Sequence, residues 1–196
     1  MIADTSAPLV ATPNQTVGPF FHYALPYPGD RDLVPPGSAD AVRLHGTVRD
    51  GAGAPVPDAL IEIWQADPSG AVPTAHGSLR RDGFTFTGFG RASTSRAGVY
   101  SFATLLPGAT TEGTAPFFAV AVFARGLLHH LLTRAYLPAG APGTSAAVLE
   151  ADRLLASVPA ERRDTLVAVA DGRASYRFDI TLQGEGETVF LAHPGH

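Results

Sequence analysis

The sequence contains no cysteine, which removes disulfides, thiolate nucleophiles and thiolate-bound metals together. Nothing in its 196 residues approaches the roughly 18 consecutive apolar residues that a membrane-spanning helix needs. The start, Met1 to Pro8, lacks the basic cluster and long apolar stretch of a secretory signal. Together these absences fit a cytoplasmic protein, and that location is the expectation. Charge is also scarce, at 16% of residues with a net of −4. The 14 basic residues are scattered, so no basic face invites nucleic acid. A chain that is 45% hydrophobic and thinly charged suits a surface partly covered by another subunit. An ordinary alanine-rich composition accounts for the same figures equally well.

Self-contained catalytic motifs are missing too. There is no Gly-x-Ser-x-Gly elbow and no phosphate loop. Gly51-Ala-Gly53 lies between two strand-like runs with neither a lysine nor a helix after it, so it reads as a turn. None of the seven histidines forms a His-x-His or His-Glu-x-x-His pair. His129 and His130 are adjacent; on a strand they would point to opposite faces and could not share one ion. Gly184-Glu-Gly-Glu-Thr188 is acidic, but its spacing matches no calcium loop and reads as a turn.

What is present is punctuation and short strands. The 21 glycines and 17 prolines separate runs with β character. Val42-Arg-Leu-His-Gly-Thr-Val-Arg49 alternates apolar and polar, as a half-buried strand does. Ala59-Leu-Ile-Glu-Ile-Trp64 and Phe117-Phe-Ala-Val-Ala-Val-Phe123 read as strands buried on both faces, the second central in its sheet. Val99-Tyr-Ser-Phe102, residues 131–137 and Ser175-Tyr-Arg-Phe-Asp-Ile-Thr181 complete the set, and only residues 144–155 have helical spacing. Trp64, Tyr100 and Phe102 are expected in the core. The expected fold is an all-β antiparallel sandwich over 39–196, with at most one or two short helices. Residues 1–38, Pro-rich over 25–36, are expected to form an irregular arm.

Several stretches resemble one family in the same order along the chain. Thr12-Pro-Asn-Gln-Thr-Val-Gly-Pro-Phe-Phe-His22 resembles the opening arm of intradiol ring-cleavage dioxygenase subunits. Gly46-Thr-Val-Arg-Asp-Gly51, Ile61-Glu-Ile-Trp-Gln-Ala-Asp67 and Gly98-Val-Tyr-Ser-Phe102 leading to Leu106-Pro-Gly108 are similar to that family. Phe123-Ala-Arg-Gly126, Leu131-Leu-Thr-Arg134 and Tyr176-Arg-Phe-Asp-Ile180 followed by Gln183-Gly-Glu-Gly-Glu-Thr-Val-Phe190 look like the α subunits of its two-chain members.

The resemblance implies an enzyme that opens a ring between two adjacent hydroxyls with O₂, turning 3,4-dihydroxybenzoate (protocatechuate) into 3-carboxy-cis,cis-muconate. It implies Fe(III) held by two tyrosines and two histidines. At the corresponding positions stand Val72, Thr110 and either Phe117 with Ala119 or Phe118 with Val120. None offers a phenolate or an imidazole, so no metal is expected in this chain. The Fe(III) is instead expected on a homologous β subunit, with αβ units assembling further.

The family's α-chain arm reaches over the β-chain pocket, which implies substrate-side roles for Thr16, Gly18 and Pro19. Glycine lets backbone approach a flat ring and proline fixes the shape; the alternative is a tight turn that only anchors the arm. Arg125, closing an apolar strand, is expected either to attract the substrate carboxylate or to make an ion pair. Arg134 is expected at an interface or sheet edge. Phe20, Phe21, His22 and Tyr23 are expected to pack into the partner. Two rivals stand beside this reading: a self-sufficient homodimeric dioxygenase, which lacks its ligands, and a non-enzymatic transthyretin-like sandwich binding module.

Overall fold

The computed structural model describes residues 16, 18, 20–74 and 82–192. In chain order these form helix α1 (Phe21–Ala24), then strands β1 (Val42–Arg49), β2 (Leu60–Trp64), β3 (Phe89–Ser93), β4 (Val99–Thr104), β5 (Phe117–Phe123) and β6 (Leu131–Tyr136). Helices α2 (Ala146–Ala151) and α3 (Arg153–Ser157), a 3₁₀ turn (Ala160–Leu166) and strands β7 (Val169–Gly172), β8 (Ser175–Arg177) and β9 (Ile180–Thr181) follow. Two sheets result. One runs β4-β1-β8-β7 with β9 also on β1, and the other runs β3-β2-β5-β6.

Period-two alternation builds the core between them. Val42, Leu44, Gly46 and Val48 of β1 face inward, and Ile61, Ile63, Phe118, Val120 and Val122 meet them from the other sheet. Gly46 is fixed by a close approach: a Cβ there would stand 1.8 Å from the Phe178 carbonyl oxygen. That same carbonyl accepts a hydrogen bond from the buried Tyr100 hydroxyl at 2.5 Å. A second cluster of Ala115, Tyr136, Leu155, Val158 and Leu166 packs under α3 and the 3₁₀ turn.

The sandwich is not wholly antiparallel, because β1 pairs β8 and β9 in parallel. β3 and β7 are additional to the expected strands. Their sequences, Phe-Gly-Arg-Ala-Ser and Val-Ala-Asp-Gly, have little intrinsic strand preference and are recruited by their neighbours. The expected helix over 144–155 is cut in two at Asp152, which ends α2 and caps α3. Its carboxylate accepts from the N–H groups of Leu154 and Leu155 at 3.0 and 3.1 Å, which holds its backbone extended.

Two burial expectations need correction. β2 and β5 are half-buried on their outer faces, and Trp64, expected in the core, is 53% exposed. Ile61 and Ile63 face in, so Glu62 and Trp64 must face out. Tyr100 and Phe102 are in the core as expected. His129 and His130 lie in the exposed β5–β6 connection rather than on a strand, and the His130 ring stacks on Phe123. Within the Pro-rich segment, Leu33 enters the core and donates to the Ala103 carbonyl at 2.8 Å. No helix among the described residues is long and apolar enough to cross a membrane.

Candidate functional site

Two loops, one leaving β2 and the other crossing from β4 to β5, are tied to one another. Gln65, buried just after β2, donates to the Leu105 carbonyl at 2.9 Å and accepts from the Thr104 hydroxyl at 2.5 Å. Asp67 closes its own turn, accepting from Ser69 N–H and hydroxyl and from Ala71 N–H. Those bonds, the Ser69 hydroxyl first, hold its carboxyl below the usual range. The Asp67 carbonyl accepts from Gly108 at 2.8 Å, and a Cβ on Gly108 would strike the Pro68 carbonyl at 2.5 Å. The Trp-Gln-Ala-Asp and Leu-Pro-Gly motifs are thus one mutual clasp.

The four positions where the resemblance would put ligands fall on these two loops and on β5. Val72 is 67% exposed on the first loop, and Thr110 is exposed on the second. Phe118 and Val120 point into the core, whereas Phe117 and Ala119 occupy the outer face, where Ala119 pairs with Trp64 and Arg134. The outer face here is cationic and aromatic. The Arg134 guanidinium lies 3.9 Å from the Phe117 ring centroid and donates to the Tyr136 hydroxyl at 3.1 Å. Tyr136 donates onward to Asp152 at 3.0 Å. Burial, chiefly, pushes the Tyr136 phenol up to about 12, with Arg134 opposing and Asp152 adding. Among the described residues, no group of three or more His, Asp or Glu stands together to hold a metal ion.

The arm joins the same face. Arg91 of β3 pairs with Glu62 at 2.5 Å, donates to the Leu25 carbonyl at 2.8 Å and lies over the rings of Tyr27 and Phe89. Phe89 in turn packs on Trp64 at 4.5 Å. Upstream, Phe21 is buried while Phe20 and Tyr23 are 71% and 76% exposed. Thr16 is exposed, and Gly18 adopts φ +77° with open space around its missing Cβ. Pro19 lies outside the described residues.

Arg125 is not brought to this place. It follows the far end of β5, and the six residue steps from Phe117 to Phe123 alone span about 20 Å. There its Nε pairs with Asp58, which is largely buried, while the Arg125 side chain is 60% exposed. The ion pair forms within the subunit, and the outer part of the guanidinium remains accessible. Sequence reasoning missed Asp58, Glu62 and Arg91. The alternation of β2 signalled Glu62 as outward-facing, but nothing local pointed to its partner.

A family model described as dioxygenase matches residues 28–139. The chain is 39% identical to the protocatechuate 3,4-dioxygenase alpha chain of Burkholderia cepacia, over 93% of this chain and 98% of that one. It is 31% identical to the protocatechuate 3,4-dioxygenase beta chain of the same organism, over 76% of this chain and 67% of that one. Among solved structures, an intradiol ring-cleavage dioxygenase from Tetranychus urticae matches its fold with a TM-score of 0.59 at 16% identity, covering 88% of this chain and 94% of that one.

Proposed function

The chain belongs to the intradiol dioxygenase family, and we propose that within it this is the alpha chain of a protocatechuate 3,4-dioxygenase that holds no iron itself. The observation that carries the proposal is the chemistry at Val72, Thr110, Phe117 and Ala119. The outer-face pair is taken as the relevant register, because Phe118 and Val120 are buried in the core. Family chemistry calls for Fe(III), a hard ion that wants phenolate, imidazole or carboxylate. Two aliphatic groups, a phenyl ring and a neutral hydroxyl do not fit it. A guanidinium fixed over Phe117 adds a like charge at the same place. The iron therefore belongs to a homologous beta chain, and no step of the chemistry passes through this chain's own clasp.

The role left to this chain is to complete the partner's pocket. The residues assigned to the partner's pocket by the resemblance are Thr16, Gly18 and Pro19. Gly18, with no neighbour within 4 Å of its missing Cβ, has room for a flat ring beside its backbone. Arg125 stands far from this chain's own vacated positions and keeps an accessible guanidinium, which suits a carboxylate presented by the neighbour's substrate. Asp58 holds that guanidinium by one edge and so limits its rotamers before substrate arrives. The overall reaction adds both atoms of O₂ to 3,4-dihydroxybenzoate and gives 3-carboxy-cis,cis-muconate. This chain's share is to bind, orient and exclude water. Phe20 and Tyr23 would be covered by the partner, and a cytoplasmic αβ assembly of higher order is the form proposed for the active enzyme.

Iron stoichiometry decides the matter. Purified alone, the chain should carry far less than one iron and be colourless. Co-expressed with a homologous beta chain, the complex should contain one iron per αβ unit and cleave protocatechuate. One equivalent of ferric iron on the isolated chain, with ring opening, overturns the proposal.

A further inference from the structure

The chain holds no lysine, so all 14 of its basic residues are arginines. Three of them, Arg31, Arg43 and Arg173, line one open groove of about 760 Å³ running along β4. They come from separate segments that backbone pairing draws side by side. The Arg31 carbonyl accepts from Ala103 at 3.0 Å, Ala103 is the register partner of Arg43, and Arg43 N–H donates to the Ala174 carbonyl at 2.8 Å. Adjacent backbones are about 4.8 Å apart, so the set fits within about 15 Å.

Such a grouping repels itself unless its charges are answered. Among the described residues none of the three guanidinium groups makes an ion pair; the one side-chain bond is from Arg43 Nε to the Ser101 hydroxyl at 3.3 Å. Nearby acids are engaged elsewhere, Asp171 with His45 at 2.8 Å and Asp179 with Arg177 at 2.9 Å. Asp32 is the single carboxylate in the lining, and Asp30 feels the charge of Arg31 from beside it. Ser93, Ser95 and Ser101 add hydroxyls. The turn that presents Arg173 is itself held in a costly shape. Ala174 has φ 53°, the only positive value at a non-glycine among the described residues. A side chain there costs about 1–2 kcal/mol relative to ordinary backbone.

We propose that this groove binds a small oxyanion carrying two or more negative charges, a phosphate or a polycarboxylate. Planar guanidinium forks match such oxygens two at a time, and the hydroxyls complete the acceptors' shell. The site is independent of the ring-cleavage reading, since it uses none of the same residues.

Calorimetric titration and thermal unfolding of the full-length protein as purified test it, with inorganic phosphate, with tricarballylate, and with sodium chloride at matched ionic strength. Expected is a saturable heat and a rise in Tm with phosphate or tricarballylate beyond the chloride control. Response to phosphate alone identifies a phosphate ligand, and response to tricarballylate alone a polycarboxylate; either supports the site. Arg43→Gln and Arg173→Gln should each weaken binding roughly tenfold, and Arg153→Gln, on α3, should leave it unchanged. Asp32→Asn should strengthen binding, an effect that a misfolded variant does not imitate. No saturable response to either anion, or undiminished binding in both groove variants, overturns the proposal.

Discussion

The guanidinium of Arg134 rests over the ring of Phe117 at 3.9 Å, and under the proposed function Phe117 stands where an iron-binding relative would present an imidazole. Its N–H also fixes the Tyr136 hydroxyl, which leads on to the Asp152 helix cap. The outer face of β5 and β6 is thereby closed by a structural contact.

Arg134→Met should accordingly destabilise the chain by about 1–2 kcal/mol, losing a ring contact and a hydrogen bond to a half-buried phenol. Phe117→Leu should cost less. The double variant should show a coupling of about 0.5–1 kcal/mol in urea unfolding. Strict additivity would mean that the two side chains touch without stabilising one another.

Arg125→Ala, in the assembled enzyme, should raise KM for protocatechuate more than it lowers kcat. The guanidinium reads a carboxylate distant from the reacting oxygens, so its loss removes binding shared by ground and transition states. Steady-state kinetics on a correctly assembled complex distinguish this from a purely structural pair with Asp58, for which Asp58→Asn and Arg125→Ala would lower stability alike and leave KM alone.

Phe20→Ser with Tyr23→Ser should weaken assembly with the beta chain by roughly tenfold or more while leaving the fold of the isolated chain intact. Both rings are mostly exposed in the single chain, so they contribute little to its own core. Size-exclusion chromatography over a dilution series reads the change. An unaltered dissociation profile would remove the arm aromatics from the interface.

Gly46→Ala should cost more than about 4 kcal/mol or prevent folding outright, because the new Cβ collides with the Phe178 backbone carbonyl rather than with a movable side chain. Circular dichroism after expression at low temperature is sufficient to see it.

Alkaline unfolding should be steep. Burial pushes the Tyr100 phenol well above its ordinary 10.0 and the Tyr136 phenol up to about 12. In the unfolded chain both ionise near 10. The stability that keeps them neutral is whole below that pH and drains as pH rises through about 12 for Tyr136. Urea midpoints compared at about pH 9 and about pH 11 should fall in the parent and fall less in Tyr136→Phe. Equal slopes in the two proteins would exclude Tyr136 as a contributor.

Two strands were legible before folding with the bounds they have in the structure: β1 from its alternation and β5 from its continuous apolar run. β3 was not, because Gly90 and Arg91 signal no strand by themselves and become one only beside β2. Trp64 misled through its size. Parity with Ile61 and Ile63 was the better guide, and it places the indole outside. Parallel pairing of β1 with β8 and β9 could not be read locally, since partner choice depends on segments more than a hundred residues apart.

At the proposed site, the side chains of Val72, Thr110 and either Phe117 with Ala119 or Phe118 with Val120 were legible from sequence, and none carries a phenolate or an imidazole. Donor atoms are a covalent property of each side chain, and no folding supplies a missing imidazole. Which pair faces outward, that Arg134 covers Phe117, and that Arg125 stands a strand's length away beside Asp58 were decided only by tertiary structure. Those are distances, and distances follow from sheet register and loop packing between residues remote in the chain.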